Sequence, residues 1–185
     1  MLPKIGLEIK YIFEYQETNN FNYYRFQGIE SEIMQKVEDF KNKDISALCN
    51  YSGKELLNKF QDRFDRNQVC VVSRLDDGRL GSVCWIENVP GSSIRGDKAE
   101  RLITDCFTLP HMRGQGLYPA TIIRSCNYIF DILKQDTVTI FINSNIFNKA
   151  SIKGICKSGF KKAGIHLRLW QWKKSYIYKK ESSYI

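Results

Sequence analysis

A short glycine-containing segment, residues 108–119 (Thr-Leu-Pro-His-Met-Arg-Gly-Gln-Gly-Leu-Tyr-Pro), constrains the fold of this 185-residue chain more than any other feature. It follows a strand-like run, residues 102–109, and leads into a helical pattern with apolar residues at Ile123, Cys126, Ile129, Ile132 and Leu133. A strand, a glycine loop and a helix in this order can bind an anion, because the loop amides and the helix dipole point at one place. An ordinary turn between a strand and a helix gives the same pattern.

Three residues of this loop suit it to phosphate. Gly114 and Gly116 lack a Cβ atom, so the backbone can approach a ligand closely and adopt positive φ. Arg113 adds a permanent positive charge beside them. The loop is therefore predicted to bind an anionic group.

A second segment, residues 148–160 (Asn-Lys-Ala-Ser-Ile-Lys-Gly-Ile-Cys-Lys-Ser-Gly-Phe), follows the next strand-like run, residues 137–142. Together the two segments resemble the two core motifs of the GNAT superfamily of acyl-CoA N-acyltransferases. The first motif reads Arg113-Gly-Gln-Gly116-Leu-Tyr118 here, and the second is filled by Asn148, Ser151, Lys157, Gly159 and Phe160. The resemblance covers roughly residues 67–172, and the motifs occur in order with a helix and a strand between them.

The rest of the chain fits one domain of this kind, residues 1–185. Periodicity and turn residues predict strands at 5–15, 68–74, 78–87, 101–109, 137–142, 160–172 and 175–180. They predict helices at 30–42, at 52–66 with Ser52 as N-cap, from the glycine loop to about 134, and at 148–158, while 23–28 fits a short strand or a loop. This order indicates an α/β (α+β) fold. The resemblance implies a mixed, mostly antiparallel central sheet that splays open at the cofactor cleft and has helices on both faces.

The resemblance also implies that acetyl-CoA is the co-substrate, and the spacing of cysteine and histidine residues predicts no metal. The backbone of Cys106, Phe107 and Thr108 would pair with the pantetheine arm as with an added strand, and Pro110 would end this strand. The pyrophosphate would bind the loop amides, which belong to Arg113, Gly114, Gln115, Gly116, Leu117 and Tyr118. Asn148 and Ser151 would contact the cofactor at the second motif, while Lys153 and Lys157 could reach the 3′-phosphate or form a solvated helix face.

Direct transfer of an acetyl group to an amine needs a base that removes a proton from the amine. Asp105 and Glu87 are the candidates, because both lie near strand ends that border the predicted cleft. Asp105 could instead be an exposed residue or a partner of Arg101. His111 is a third candidate, although its position before the loop also fits a surface residue.

The leaving sulfur commonly takes a proton from a tyrosine of the second motif. That position here is Ile155, which has no proton to give. Tyr118, which stands where the first motif usually has glycine or alanine, could substitute as the donor, or it could simply pack under the loop. A thiolate that leaves unassisted is the remaining alternative.

Cysteine and apolar patterns exclude several classes of protein. The six cysteines form no C-x-x-C pair, so they are expected to be structural thiols and not zinc ligands. No apolar run approaches the ~20 residues that a membrane span needs, and the first residues do not resemble a signal peptide. A cytoplasmic protein, monomeric or homodimeric, is expected.

The formal net charge of +8 is concentrated near the C-terminus. Residues 151–185 contain nine lysine or arginine residues and one acid, whereas the rest of the chain balances at 19 of each sign. This segment is either a solvated basic face or a rim for an anionic ligand. Nucleic acid is not expected, because no motif that binds it is present.

The predicted function is an N-acetyltransferase that acts on a primary amine of a small molecule. The run from Asp105 to Pro119 resembles GNAT members of cell-surface sugar pathways, so an amino-sugar nucleotide, which is anionic, is one candidate acceptor. The alternatives are a non-catalytic acyl-CoA-binding or regulatory protein, motivated by Ile155, and an acetyltransferase that acts on an RNA-linked or protein amine.

Overall fold

The computed structural model describes residues 7–16, 28–53, 55–88, 100–133, 139–169 and 174–179. Within these ranges the strands are β1 Leu7–Gln16, β2 Ile29–Met34, β3 Val69–Leu75, β4 Leu80–Asn88, β5 Glu100–Thr108, β6 Thr139–Asn145, β7 Lys161–Leu169 and β8 Lys174–Lys179. The α-helices are α1 Asn42–Ser52, α2 Glu55–Asp65, α3 Leu117–Leu133 and α4 Lys149–Lys157, and two short 3₁₀ turns lie at Val37–Asp39 and Pro110–Met112. None of the described helices is long and apolar enough to cross a membrane.

The strands form one sheet in the order β2-β3-β4-β5-β6-β1-β7-β8. Described neighbours pair antiparallel, except β5 and β6, which are parallel. This parallel pairing runs only from Glu100 with Thr139 to Ile103 with Ile142. Beyond Ile103, β5 has no pairing with β6 among the described residues, so the sheet is open beside the second half of β5. The predicted mixed sheet with a splayed centre is confirmed.

Helices cover both faces of the sheet. Successive side chains of a strand point to opposite faces, so each strand contributes buried residues to both. Cys84 of β4 and Val71 of β3 belong to a buried cluster under α3 and α4, whose other members include Ile122, Cys126, Ile129 and Ile155. Their neighbours Val83 and Trp85 belong to a second cluster, which contains Leu48 of α1 and Phe60 and Phe64 of α2. The sheet is therefore the middle layer of three.

The helix predicted over residues 30–42 is wrong: β2 and a 3₁₀ turn take its place. Ile33 pairs with Val71 of β3, and Phe40, beyond the turn, packs on the ring of Phe60 with 5.6 Å between centroids. The helical spacing of these apolar residues thus comes from contacts made by different elements. Pairing with a distant strand overrides the local pattern.

The helix predicted over residues 52–66 begins later than expected. Ser52 is the last residue of α1 and not an N-cap, and Gly53 ends α1 with φ of +80°. The prediction missed α1 itself, because Leu48 is its one apolar residue that is buried in the structure. The other predicted helices and strands are confirmed with ends that differ by a few residues, and the residues 17–27 and 89–99 lie outside the described part of the chain.

The structure gives the three buried cysteines the packing role that the sequence predicts. Cys70, Cys84 and Cys126 are buried, and burial raises the pKa of each thiol well above its ordinary value. Cys106 is half-buried and Cys156 is exposed. The described residues contain no group of three or more His, Cys, Asp or Glu side chains that could bind a metal.

Candidate functional site

The centre of the candidate site is a β-bulge in β5, at the place where the sheet opens. Pairing between β4 and β5 shifts between Val83 and Trp85, so that residues 105 and 106 together face one residue of β4. Asp105 has φ of +42°, the left-handed region that few residues other than glycine adopt. The bulge begins two residues after Ile103, the last residue of β5 that pairs with β6 among the described residues.

The glycine loop continues from this open edge. The N–H of Leu109 donates to the carbonyl oxygen of Gly81 at 2.9 Å, which fixes the end of β5 on β4. His111 is exposed in the following turn. Gly114 and Gly116 then adopt φ of +83° and +80°, and α3 begins at Leu117.

The backbone amides of this loop are available to a ligand. No described residue accepts a hydrogen bond from the N–H groups of residues 114–118. A Cβ atom on Gly114 would have nothing within 4 Å, so the loop is open on that side. Arg113 is exposed, and its Nε lies 3.4 Å from the carbonyl oxygen of Thr108. A row of free amides at the start of a helix, with a cation beside it, is an anion site.

Two further glycines, which the sequence analysis did not select, seat the first residues of α3. A Cβ atom on Gly81 would come 2.4 Å from Leu117 Cδ1, and one on Gly154 would come 2.4 Å from Tyr118 Cδ1. Leu117 thus packs on β4 and Tyr118 on α4. A glycine inside a strand or a helix is the sequence signal for such a close approach.

Tyr118 connects the starts of α3 and α4. Its hydroxyl oxygen lies 3.0 Å from Ser151 Oγ, and burial raises its pKa well above the ordinary value. Asn148 caps α4, because its Oδ1 accepts the N–H of Ser151 at 3.0 Å. Ile155 is fully buried in the core. The structure therefore brings Tyr118, Asn148 and Ser151 together and leaves Ile155 as a packing residue.

The two candidate bases share one partner. Arg63 of α2 donates from Nη1 to Glu87 Oε1 at 3.1 Å and from Nη2 to the Asp105 carboxylate. Glu87 is the more shielded of the two, with 28% of its side chain exposed against 65% for Asp105. Sequence reasoning missed Arg63, because nothing in α2 distinguishes it from other exposed-face charges.

Part of the basic C-terminal segment is visible on the surface. Lys153, Lys161 and Lys162 are exposed, and Lys162 Nζ lies 3.4 Å from the centroid of the Tyr11 ring, a cation–π contact. The side chains from residue 167 onward lie outside the described part of the chain. The described lysines therefore contribute positive charge to the surface near α4 and β7.

No protein-family model matches the sequence, and no curated protein matches it. Solved structures do match the fold. A GNAT-family acetyltransferase from Colwellia psychrerythraea aligns with a TM-score of 0.58 at 14% identity, over 96% of this chain and 58% of that one. A tandem GNAT protein from the clavulanic acid biosynthesis pathway aligns with a TM-score of 0.55 at 10% identity, over 84% of this chain and 50% of that one.

A spermidine N-acetyltransferase, a SpeG chimera from Vibrio cholerae and hSSAT, aligns with a TM-score of 0.55 at 16% identity, over 76% of this chain and 84% of that one. The chain therefore has the GNAT fold, as its two motifs predict. It spans 50% and 58% of the length of the clavulanic acid pathway protein and the Colwellia enzyme. At these identities the likeness is one of fold.

Proposed function

We propose that this chain is an N-acetyltransferase that transfers an acetyl group from acetyl-CoA directly to a primary amine of a small molecule. The observation that carries the proposal is the row of free loop amides, residues 114–118, at the open edge of β5. The two features together suit a ligand with a pyrophosphate at one end and an amide-containing arm at the other. Coenzyme A has this chemistry.

In this proposal each part of the cofactor has its own residues. The amides of the glycine loop and the Arg113 guanidinium bind the pyrophosphate. The backbone of Phe107 and Thr108 pairs with the pantetheine arm, in the place that β6 leaves free. Asn148 and Ser151 lie at the start of α4, which Tyr118 ties to the loop.

The transfer needs one proton to leave the amine and one to reach the sulfur. We propose that Glu87 accepts the proton of the amine, because it is the better shielded of the two carboxylates. The amine nitrogen then forms a bond to the acetyl carbon as the carbon–sulfur bond breaks. Tyr118, which burial keeps protonated, gives its proton to the leaving thiolate, and the proton that Glu87 accepted returns to Tyr118 through solvent.

Replacement of Tyr118 by phenylalanine is expected to lower kcat for acetyl-CoA by about 10²-fold, the lower end of what general acid catalysis supplies. The affinity for CoA should change little, since the ring still packs on Gly154. Steady-state kinetics and calorimetry measure the two quantities. Tyr128→Phe, which removes the hydroxyl of another tyrosine of α3, is the control. A wild-type kcat in Tyr118→Phe would reduce Tyr118 to a packing residue.

For the acceptor we propose a small molecule, with an amino-sugar nucleotide as the first candidate. The solved structures of similar fold include a spermidine N-acetyltransferase and an aminoglycoside acetyltransferase, whose names indicate small amine acceptors. The exposed lysines of α4 and β7 favour an acceptor that carries negative charge. A cytoplasmic location and a single domain are parts of the same proposal.

If the acceptor is anionic, its kcat/KM should fall as ionic strength rises and the Debye length shrinks from ~30 to ~8 Å. The measurement varies the acceptor under saturating acetyl-CoA, because the cofactor is itself an anion. Replacing Lys173 and Lys174 together by glutamine should flatten this response and leave CoA affinity unchanged. A response indifferent to both salt and the double substitution would mean that the basic segment is only a solvated face.

Release of free thiol from acetyl-CoA in the presence of a panel of amines tests the activity. The panel contains amino-sugar nucleotides, polyamines, aminoglycosides, aminoacyl-tRNA and a lysine-containing peptide. Turnover with a small amine supports the proposal, and turnover with only the RNA or the peptide supports an acceptor of that class. Tight binding of CoA without turnover on any amine would identify a non-catalytic acyl-CoA-binding protein.

A further inference from the structure

Arg63 connects three elements around the open edge of β5. It belongs to α2, an element outside both sequence motifs. Its Nη1 donates to Gln68 Oε1 at 3.0 Å and to Glu87 Oε1 at 3.1 Å, and its Nη2 donates to Asp105. The guanidinium carbon lies 5.1 Å from the centroid of the Trp85 ring. One side chain thus contacts both β4 and β5 at the level of the bulge.

The strained backbone of the bulge needs a contact that fixes it in place. Asp105 is the residue with positive φ, a conformation that costs a residue other than glycine about 1–2 kcal/mol, although aspartate tolerates it better than most. Strained backbone of this kind persists where the surrounding structure fixes it. Arg63 is the described partner of the Asp105 carboxylate. Arg63 also contacts Glu87 of β4. The Asp105 carboxylate is thereby held against the neighbouring strand.

We propose that Arg63 is a positioning residue of the acyl-transfer site. It fixes the bulge at Asp105, and with it the free edge of residues 106–108, and it holds the Glu87 carboxylate in the cleft. This role rests on the proposed function, since the free edge serves the cofactor and Glu87 serves the amine. Arg63 acts through Glu87 and Asp105.

The geometry requires arginine and not lysine at this position. The planar guanidinium directs separate N–H groups at two carboxylates while its face lies over an aromatic ring. A lysine ammonium is a point charge that cannot make the same three contacts at once. Arg63→Lys therefore keeps the positive charge but loses the arrangement of N–H donors. The variant separates the contribution of the charge from that of the hydrogen-bond geometry.

A second arginine of the chain shows what a purely structural pair looks like. Arg74 has 1% of its side chain exposed, donates to both carboxylate oxygens of Asp44 at 2.8 Å and to Glu32 at 2.7 Å, and joins α1 to the sheet. Arg63 has 19% of its side chain exposed, and its partners Glu87 and Asp105 have 28% and 65%. Since pairs that solvent reaches contribute less to stability than a fully buried pair, the loss of Arg63 should appear in binding and turnover more than in folding.

The test compares Arg63→Gln and Arg63→Lys with the wild-type chain by CoA calorimetry, steady-state kinetics and thermal unfolding. We expect Arg63→Gln to weaken CoA binding about fivefold and to lower kcat about tenfold, effects of the size that contacting groups show. Arg63→Lys should recover only a minor part of either loss. The matched control is Arg79→Gln, which removes a cation from an exposed pair with Asp77 and should change neither quantity.

A double-mutant cycle assigns the two contacts. Asp105→Asn removes the charge but keeps a side chain that tolerates positive φ, so it should weaken CoA binding by itself. Combined with Arg63→Gln it should add no further loss, because both changes break one contact. Adding Arg63→Gln to Glu87→Gln should likewise lower kcat little below the value of Glu87→Gln alone.

Each result decides the matter. Wild-type CoA affinity in Arg63→Gln, or additive losses in the cycle with Asp105→Asn, would overturn the role in the bulge. Equal rescue by lysine would reduce Arg63 to a simple charge and overturn the positioning role. Should Arg63→Gln fail to fold, Asp105→Asn alone decides, and wild-type CoA affinity there overturns it. A chain whose CoA affinity depends on Arg63 but that turns over no amine would leave the role at the bulge intact and refute the proposed activity.

Discussion

Replacement of Gly114 or Gly116 by valine is expected to weaken CoA binding by at least about tenfold. Both glycines have positive φ, which a β-branched residue adopts only at a cost of about 1–2 kcal/mol or more. A Cβ atom on Gly114 meets no protein atom within 4 Å. The loss must therefore come from the strained loop and from the side chain that stands in front of the amides. Calorimetric titration with CoA measures it.

Gly53 provides the matched control. It has φ of +80° and, like Gly114, nothing within 4 Å of an added Cβ atom, but it ends α1 and does not belong to the loop. Gly53→Val should cost a similar strain and leave CoA affinity unchanged. Arg113→Glu should act in the same direction as the loop variants, and less severely, since the amides remain. CoA affinity equal to wild type in both loop variants would show that this loop is not the phosphate site.

Replacement of Glu87 by glutamine should lower kcat by about 10²–10⁴-fold, the range of general base catalysis. Glutamine keeps an oxygen that can accept the hydrogen bond of Arg63, so the position of the side chain should be preserved. CoA affinity is expected to stay close to wild type. Steady-state kinetics with a saturating amine measures kcat, and Glu38→Gln, an exposed acid outside the cleft, is the control.

Asp105→Asn separates the two carboxylates. If Glu87 is the base, Asp105→Asn lowers CoA affinity and leaves a kcat well above that of Glu87→Gln. The opposite order of kcat values would assign the base to Asp105. A kcat in Glu87→Gln equal to wild type would remove Glu87 from the mechanism and leave proton removal to Asp105 or to water.

The sequence predicted the elements whose signals are local. The hairpin of β3 and β4 follows from the turn Asp76-Asp77-Gly78, and the glycine loop follows from a strand, two glycines and a helix in direct succession. The predicted terminal hairpin is confirmed as β7 and β8. In each case the residues that make the structure are neighbours in the chain.

The sequence did not predict features that depend on residues far apart. The local pattern predicts a helix at β2 because the strand that β2 pairs with, β3, lies more than thirty positions away in the chain. Arg63, Glu87 and Asp105 come from three elements, so their contact exists only after the sheet has formed. Gly81 and Gly154 can be recognised in the sequence as glycines inside a strand and a helix. Their role depends on Leu117 and Tyr118, which pack against them only in the folded structure.

The position of β1 has a consequence for the order of folding. Residues 7–16 lie between β6 and β7 and pair with both, although these partners span residues 139–169. At about 5–20 residues per second, a ribosome makes the partners on the order of ten seconds after β1. Phe13 and Ile12, which are buried in the finished sheet, have no native strand partner during that time. Such high contact order predicts slow, largely post-translational closure of this half of the sheet.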